Sequence, residues 1–139
     1  MEKVILVIDD DADDRELFRE ALHEVYRNAR FITANNGYDA LELFNKPGHL
    51  IPDFIFLDLN MPKVDGRQCL MRLRQIPGLQ KVPIIIFSTM KLVHEVDELK
   101  LLGASMCITK PVWYDDLRRM LREVIVSSTW KTVNPAGKK

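Results

Sequence analysis

Five short apolar runs, at residues 4–8, 31–34, 54–57, 82–87 and 105–108, divide the chain, and they are largely continuous rather than alternating. A strand with one wet face alternates apolar and polar residues. A run that stays apolar belongs to a strand covered on both faces, the pattern of a parallel sheet. Between the runs the spacing turns helical. Leu17, Phe18, Ala21, Leu22 and Val25 follow i, i+4 rows, as do Leu117, Met120, Leu121, Val124 and Ile125. Ala40, Leu41 and Phe44 mark a shorter helix after Gly37; Leu70 and Leu73 mark a third, closed by Pro77-Gly78; Val93, Val96 and Leu99 mark a fourth, closed by Gly103. Strand and helix alternate five times, which demands right-handed crossovers with helices on both faces. The expected fold is therefore α/β, a doubly wound five-stranded parallel sheet flanked by five helices.

A chain of 139 residues is one domain of ordinary size. The expected domain spans residues 1–127, followed by an extension over 128–139 that frays at its Asn-Pro-Ala-Gly-Lys-Lys end. Twenty basic and 20 acidic residues give zero formal charge, so no polycationic surface argues for nucleic acid. Cys69 and Cys107 sit in apolar segments without metal or disulfide spacing, which favours buried thiols in a reducing compartment. Five apolar residues before Asp9 are too few for a signal peptide or a membrane span. The expected location is cytoplasmic, with no membrane partner.

In a doubly wound sheet, chemistry gathers beyond the carboxyl ends of the strands. Here those ends carry Asp9-Asp10-Asp11, then Asp58, then Ser88-Thr89, then Thr109-Lys110-Pro111. If the order is 2-1-3-4-5, the expectation for this fold, these four strands are consecutive neighbours, and their ends converge on one shallow pocket. Crowded carboxylates repel one another unless a cation relieves them. A hard divalent ion with oxygen ligands, Mg²⁺ above all, suits such a site. Asp58 is then the candidate nucleophile toward a phosphoryl group, forming an acyl phosphate. Lys110 is placed to neutralise charge on the transferring oxygens, and the Ser88 hydroxyl to donate to one of them. The Lys110–Pro111 bond is a candidate cis peptide in a rigid turn that aims the lysine inward.

The same residues resemble the receiver domain of two-component response regulators, over essentially the whole chain. The motifs are Val7-Ile8-Asp9-Asp10, Leu57-Asp58-Leu59-Asn60-Met61-Pro62 with Asp65-Gly66 after it, Pro83-Ile84-Ile85-Ile86-Phe87-Ser88, Gly103-Ala104 and Lys110-Pro111. The resemblance implies a flavodoxin-like fold and a phosphoacceptor at Asp58. It implies Mg²⁺ bound directly by Asp10, Asp58 and the Asn60 backbone carbonyl, with Asp9 acting through a metal-bound water. It casts Ser88 as the switch hydroxyl and Lys110 as the phosphate-binding lysine. The implied donor is a phosphohistidine on a sensor histidine kinase or a histidine phosphotransfer protein. Such a protein is a phosphoacceptor regulator that promotes its own phosphotransfer and slow dephosphorylation, and not an enzyme in the usual sense. Residues 127–133, with the long loop at 46–52, loosely resemble a stand-alone subgroup that includes the phytochrome-associated response regulators.

The chain departs from the family pattern at three positions. Cys107 stands where many receivers carry a switch Tyr or Phe, Thr89 where a small residue is common, and Met90 where a polar residue often positions hydrolytic water. A long-lived acyl phosphate is expected on that account. Asp11, Asp13 and Asp14 read as helix caps that complement the helix dipole. Three scattered histidines, His23, His49 and His94, read as surface or partly packed. Trp113 and Trp130 suit local packing or a partner equally. Mixed charge on the fourth helix (Lys91 to Lys100) and the fifth (Asp115 to Glu123) reads as a solvated face, and equally suits a homodimer through the fourth helix, fifth strand and fifth helix. Three other readings compete with this one. A phosphatase of the haloacid dehalogenase type puts its nucleophile on the first strand in a DxD pattern and needs a cap. An interaction module would keep the surface and lose the phosphorylation. A flavin carrier would need a Ser/Thr/Gly-rich phosphate loop after the first strand.

Overall fold

A computed structural model describes residues 2–61 and 65–127 of the chain. The elements run β1 (Lys3–Ile8), α1 (Ala12–Val25), β2 (Ala29–Ala34), α2 (Gly37–Leu43), β3 (Phe54–Leu57), α3 (Gly66–Gln75), β4 (Ile84–Ser88), α4 (Val96–Leu102), β5 (Met106–Thr109) and α5 (Tyr114–Leu121). All pairings are parallel, in the order β2-β1-β3-β4-β5. The expected architecture is the observed one. The extension at 128–139, with Trp130, and Pro62 of the β3–α3 loop lie outside the described residues.

The continuous apolar strands serve two cores at once, because successive side chains point to opposite faces. Leu6 and Ile8, Ile55 and Leu57, and Ile84 and Ile86 bury against Ala40 of α2, Leu70 and Leu73 of α3 and Leu99 of α4. Their neighbours Ile5, Val7, Phe54, Phe56, Ile85 and Phe87 bury against Phe18 and Leu22 of α1 and Leu117 and Leu121 of α5. Phe18 anchors the second core. Its ring meets Phe56 at 4.9 Å and Phe87 at 5.7 Å between centroids, both edge-on, the favoured aromatic geometry.

Three local expectations need correction. Val93 is not part of α4, which begins at Val96; Val93 precedes it in a turn and is 75% exposed. The apolar spacing was shared with a turn, where nothing obliges the side chain to pack. The last helix is not α-helical throughout: after Leu121 it widens to a π-helix over Arg122–Ser127, still burying Val124 and Ile125. Lys3 Nζ donates to the Ile125 carbonyl at 3.0 Å, tying that segment to the start of β1. Finally, among the described residues no peptide bond is cis, so Lys110–Pro111 is trans.

The register sets the level of each strand end. Ile8 pairs with Leu57, and Leu57 with Ile86, so Asp9 and Asp58 leave adjacent strands at the same height. Ser88 pairs with Thr109, the residue before Lys110. Beyond the sheet, α3 can start close under the β3 loop because residue 66 is glycine. A Cβ there would collide with the Leu59 backbone.

Candidate functional site

Asp58 follows directly on the last residue of β3. Its amide donates to the Ile8 carbonyl at 3.0 Å, which extends the pairing one step and holds the carboxylate at the mouth of the sheet. It is 8% exposed. One carboxylate oxygen, Oδ1, accepts from the Asn60 amide at 3.2 Å, and the other lies 3.6 Å from Lys110 Nζ. Burial raises the Asp58 carboxyl above its ordinary range. Lys110 and the Asn60 amide pull it back, and Asp9 and Asp10 push it further up. The net shift is upward, because a desolvated carboxylate beside two others lacks sufficient positive charge.

Asp9 and Asp10 leave β1 together and part company. Asp9 is buried: Oδ1 accepts from the Asp11 amide at 2.9 Å and Oδ2 from Lys110 Nζ at 2.6 Å. Asp10 is exposed. Even so, Asp9, Asp10 and Asp58 can each offer an oxygen within 4.8 Å of the other two, the arrangement that holds a cation. Lys110 enters from the β5 side, its Nζ also paired with Asp14 at 2.8 Å. Burial lowers the affinity of the ammonium for its proton. The hydrogen bonds to Asp14 and Asp9 and the attraction of Asp58 outweigh that and leave it above the usual lysine range. Among the described residues, three carboxylates, Asp9, Asp14 and Asp58, thus face one ammonium, with Asp10 beside them. Arg15 donates instead to the Asp9 backbone carbonyl at 2.7 Å. The donor set is all oxygen and carries excess negative charge, which fits the expected Mg²⁺ cofactor.

Ser88 ends β4 fully buried; its Oγ accepts from the Met90 amide at 3.2 Å, and its carbonyl from the Lys110 amide at 2.7 Å. Those two bonds link the β4–α4 loop and the β5–α5 turn through one residue. Thr89 and Met90 are exposed, and so is Asn60. Asp11 is a cap, as expected, accepting from the Asp13 and Asp14 amides. Asp14 is more than a cap, since it shares Lys110. An acid in a helix's first turn has the same sequence signature in either role, and the partner is 96 positions away. Cys107, read as core, is half-buried; its thiol is pushed up by burial and it lines a cavity beside α4. His23 is partly packed, with its two ring nitrogens at 3.0 and 3.2 Å from the Arg19 and Ala29 carbonyls. Trp113 is exposed rather than packed locally.

Comparison with known proteins bears on this geometry. A model of the response regulator receiver domain matches residues 5–122. Response regulator Rcp1 of Synechocystis sp. (strain ATCC 27184 / PCC 6803 / Kazusa) is 29% identical over 126 residues, covering 88% of this chain and 86% of Rcp1. The sensor histidine kinase RcsC of Escherichia coli (strain K12) is 34% identical over 118 residues, where the match covers 85% of this chain but only 12% of RcsC. Among solved structures, the phosphorylated cyanobacterial phytochrome response regulator RcpA superposes with a TM-score of 0.81 at 27% identity, covering 92% of this chain and 96% of RcpA. The Mn(2+)-bound form of Rcp1 superposes with a TM-score of 0.75 at 26% identity, covering 98% and 97%. The chain belongs to the response regulator receiver domain family.

Proposed function

We propose that this receiver takes a phosphoryl group from the phosphohistidine of a sensor histidine kinase, or of a histidine phosphotransfer protein, onto Asp58. The observation that carries the reading is the position of Asp58: buried at a strand end, oxygen-rimmed by Asp9 and Asp10, and within reach of Lys110. An Asp58 oxygen forms the new O–P bond while the P–N bond of the donor breaks, and the leaving imidazole nitrogen keeps the electron pair. Asp10, Asp58 and the Asn60 carbonyl would hold a divalent cation, with Asp9 reaching it through water, and the ion would supply charge that offsets the phosphoryl oxygens. Lys110 is already desolvated and charged at the site, so it can turn from Asp14 and Asp9 to the phosphoryl group. Such a chain is a phosphoacceptor that helps its own transfer and dephosphorylates slowly. It works in the cytoplasm, where Cys69 and Cys107 stay reduced.

The acyl phosphate then acts on α4. Drawing the Ser88 hydroxyl toward the new oxygens pulls on the Met90 amide, which Oγ already holds, and so on the loop into α4. The two ends of α4 respond differently. Its first residue has no side-chain cap, and the loop before it borders a cavity of about 250 Å³ lined by Leu92, Val93, Val96 and Cys107. Its C-terminal end is anchored: Gly103 turns at φ 124°, and Arg74 of α3 donates from Nε to the Gly103 carbonyl at 3.0 Å. The helix start moves while its end stays fixed, with Val93 and Leu92 closing on the space beside Cys107. That movement replaces the swing of an aromatic ring that this chain lacks. The altered α4–β5–α5 face is the output surface and closes a homodimer. Arg118 and Arg119 already pair with Glu24, Asp115 and Asp116 of their own chain, so exposed Leu101 and Val93 are the better contacts.

Phosphoramidate, a small donor with a P–N bond, tests the transfer. Wild type gains one phosphoryl group in Mg²⁺; Asp58→Asn, or wild type with EDTA, gains none. Equal labelling of the variant would exclude Asp58 as the acceptor. With Thr89 and Met90 following Ser88, the label persists for minutes or longer, and decay within seconds would contradict the slow dephosphorylation.

A further inference from the structure

A second cavity, of about 320 Å³, lies under the α2–β3 loop and shares no lining residue with the acidic site. Its walls are aliphatic and aromatic: Leu6 of β1, Ile32 of β2, and Leu43 and Phe44 at the end of α2. Loop residues form its rim, turning at Gly48, whose φ of +72° is a conformation that favours glycine. The polar lining is one-sided in charge. Lys46 is the charged side chain in the lining, and no carboxylate borders the cavity. The His49 ring is held in place, edge-on to Phe44 with centroids 5.3 Å apart. Its Nδ1 donates to the Leu50 carbonyl at 3.2 Å, which leaves Nε2 for another partner.

We infer that this chamber binds a small amphiphile with one carboxylate, of the medium-chain fatty acid class. Its volume falls at the small end of ligand pockets, roughly 300–1,000 Å³. Its mainly apolar lining favours an apolar tail over water. The tail lies against Leu6, Ile32, Leu43 and Phe44, and the carboxylate meets Lys46, which is exposed and so stands at the mouth. A cationic head would be repelled there, and a neutral head would forgo the ion pair. The site is independent of phosphoryl transfer, so it can be tested on the unphosphorylated chain.

The probe is octanoate, kept below its micelle concentration and titrated calorimetrically into the full chain, with amide shifts followed by NMR. Binding should saturate and move the amides of residues 43–46, 48–51, 6 and 32. Lys46→Glu, a change at an exposed position, should weaken it about tenfold or more. Leu43→Trp, which fills the chamber, should abolish it, and octyltrimethylammonium should bind at least about tenfold more weakly. Octanoate that fails to saturate up to millimolar concentration overturns the inference. So does binding that Lys46→Glu leaves unchanged and the cationic amphiphile matches, because that pattern is unspecific adsorption.

Discussion

Asp58 carries a cost that the pocket does not remove. Its carboxyl is raised, chiefly by burial, so the folded value lies above that of the unfolded chain, about 3.9 for an aspartate. The stability associated with its protonated form is fully present below the unfolded value and is lost as pH rises through the folded one. Asp58→Asn therefore melts at a higher temperature than wild type at pH 7, and the two curves converge below about pH 4. Thermal melts across that range check it; a gap that persists at low pH contradicts it. Mg²⁺ relieves the same repulsion, so it raises the wild-type melting temperature and raises that of Asp10→Asn much less. Equal shifts would place the ion elsewhere. At this scale the sequence was informative where adjacent acids leave an apolar strand, since Asp9 and Asp10 have no comparable structural purpose. It was silent on Asp14, whose bond to Lys110 exists only once α1 and β5 meet.

The inner strands β1, β3 and β4 were readable because burial on both faces leaves almost only apolar residues, while the edge strand β2 carries Arg30 and Thr33 and is partly exposed. The short helices were harder. Val93 has helical spacing toward Val96 but belongs to the preceding turn, and spacing alone does not separate the two across a single helical turn. The grip on the end of α4 was also hidden. The Arg74 guanidinium reaches four separate oxygens: the Gly103, Leu79 and Val82 carbonyls and the Ser105 hydroxyl. Gly103 permits this, since a Cβ there would strike the Arg74 side chain and its φ of 124° already disfavours one. Gly103→Ala should cost about 2 kcal/mol or more, read from the urea midpoint. An unchanged midpoint would mean that α4 is not anchored at that end. If the anchor also fixes the pivot, Gly103→Ala retains phosphoryl uptake at Asp58 but loses the change at the α4–β5–α5 face.

The whole molecule gives these parts their meaning. In the order β2-β1-β3-β4-β5, four strand ends that are distant in sequence become neighbours, and Asp9, Asp58, Ser88 and Lys110 meet without any of them being close along the chain. That convergence was legible as soon as the strand order was, whereas the two cavities were not, since loops rather than periodic elements close them. Dimerisation belongs to this scale too. Phosphorylated wild type should sediment as a dimer and Leu101→Lys as a monomer, with phosphoryl uptake unchanged; a variant that still dimerises removes α4 from the interface. Beneath all of this stands one claim, that the acyl phosphate forms on Asp58. Reducing the phosphorylated protein with borohydride converts the modified aspartate to homoserine, and peptide mass spectrometry locates it. Homoserine at position 58, formed only in the presence of Mg²⁺, is the predicted result; homoserine at position 9 or 10, or none in a protein that has gained phosphate, would contradict the account.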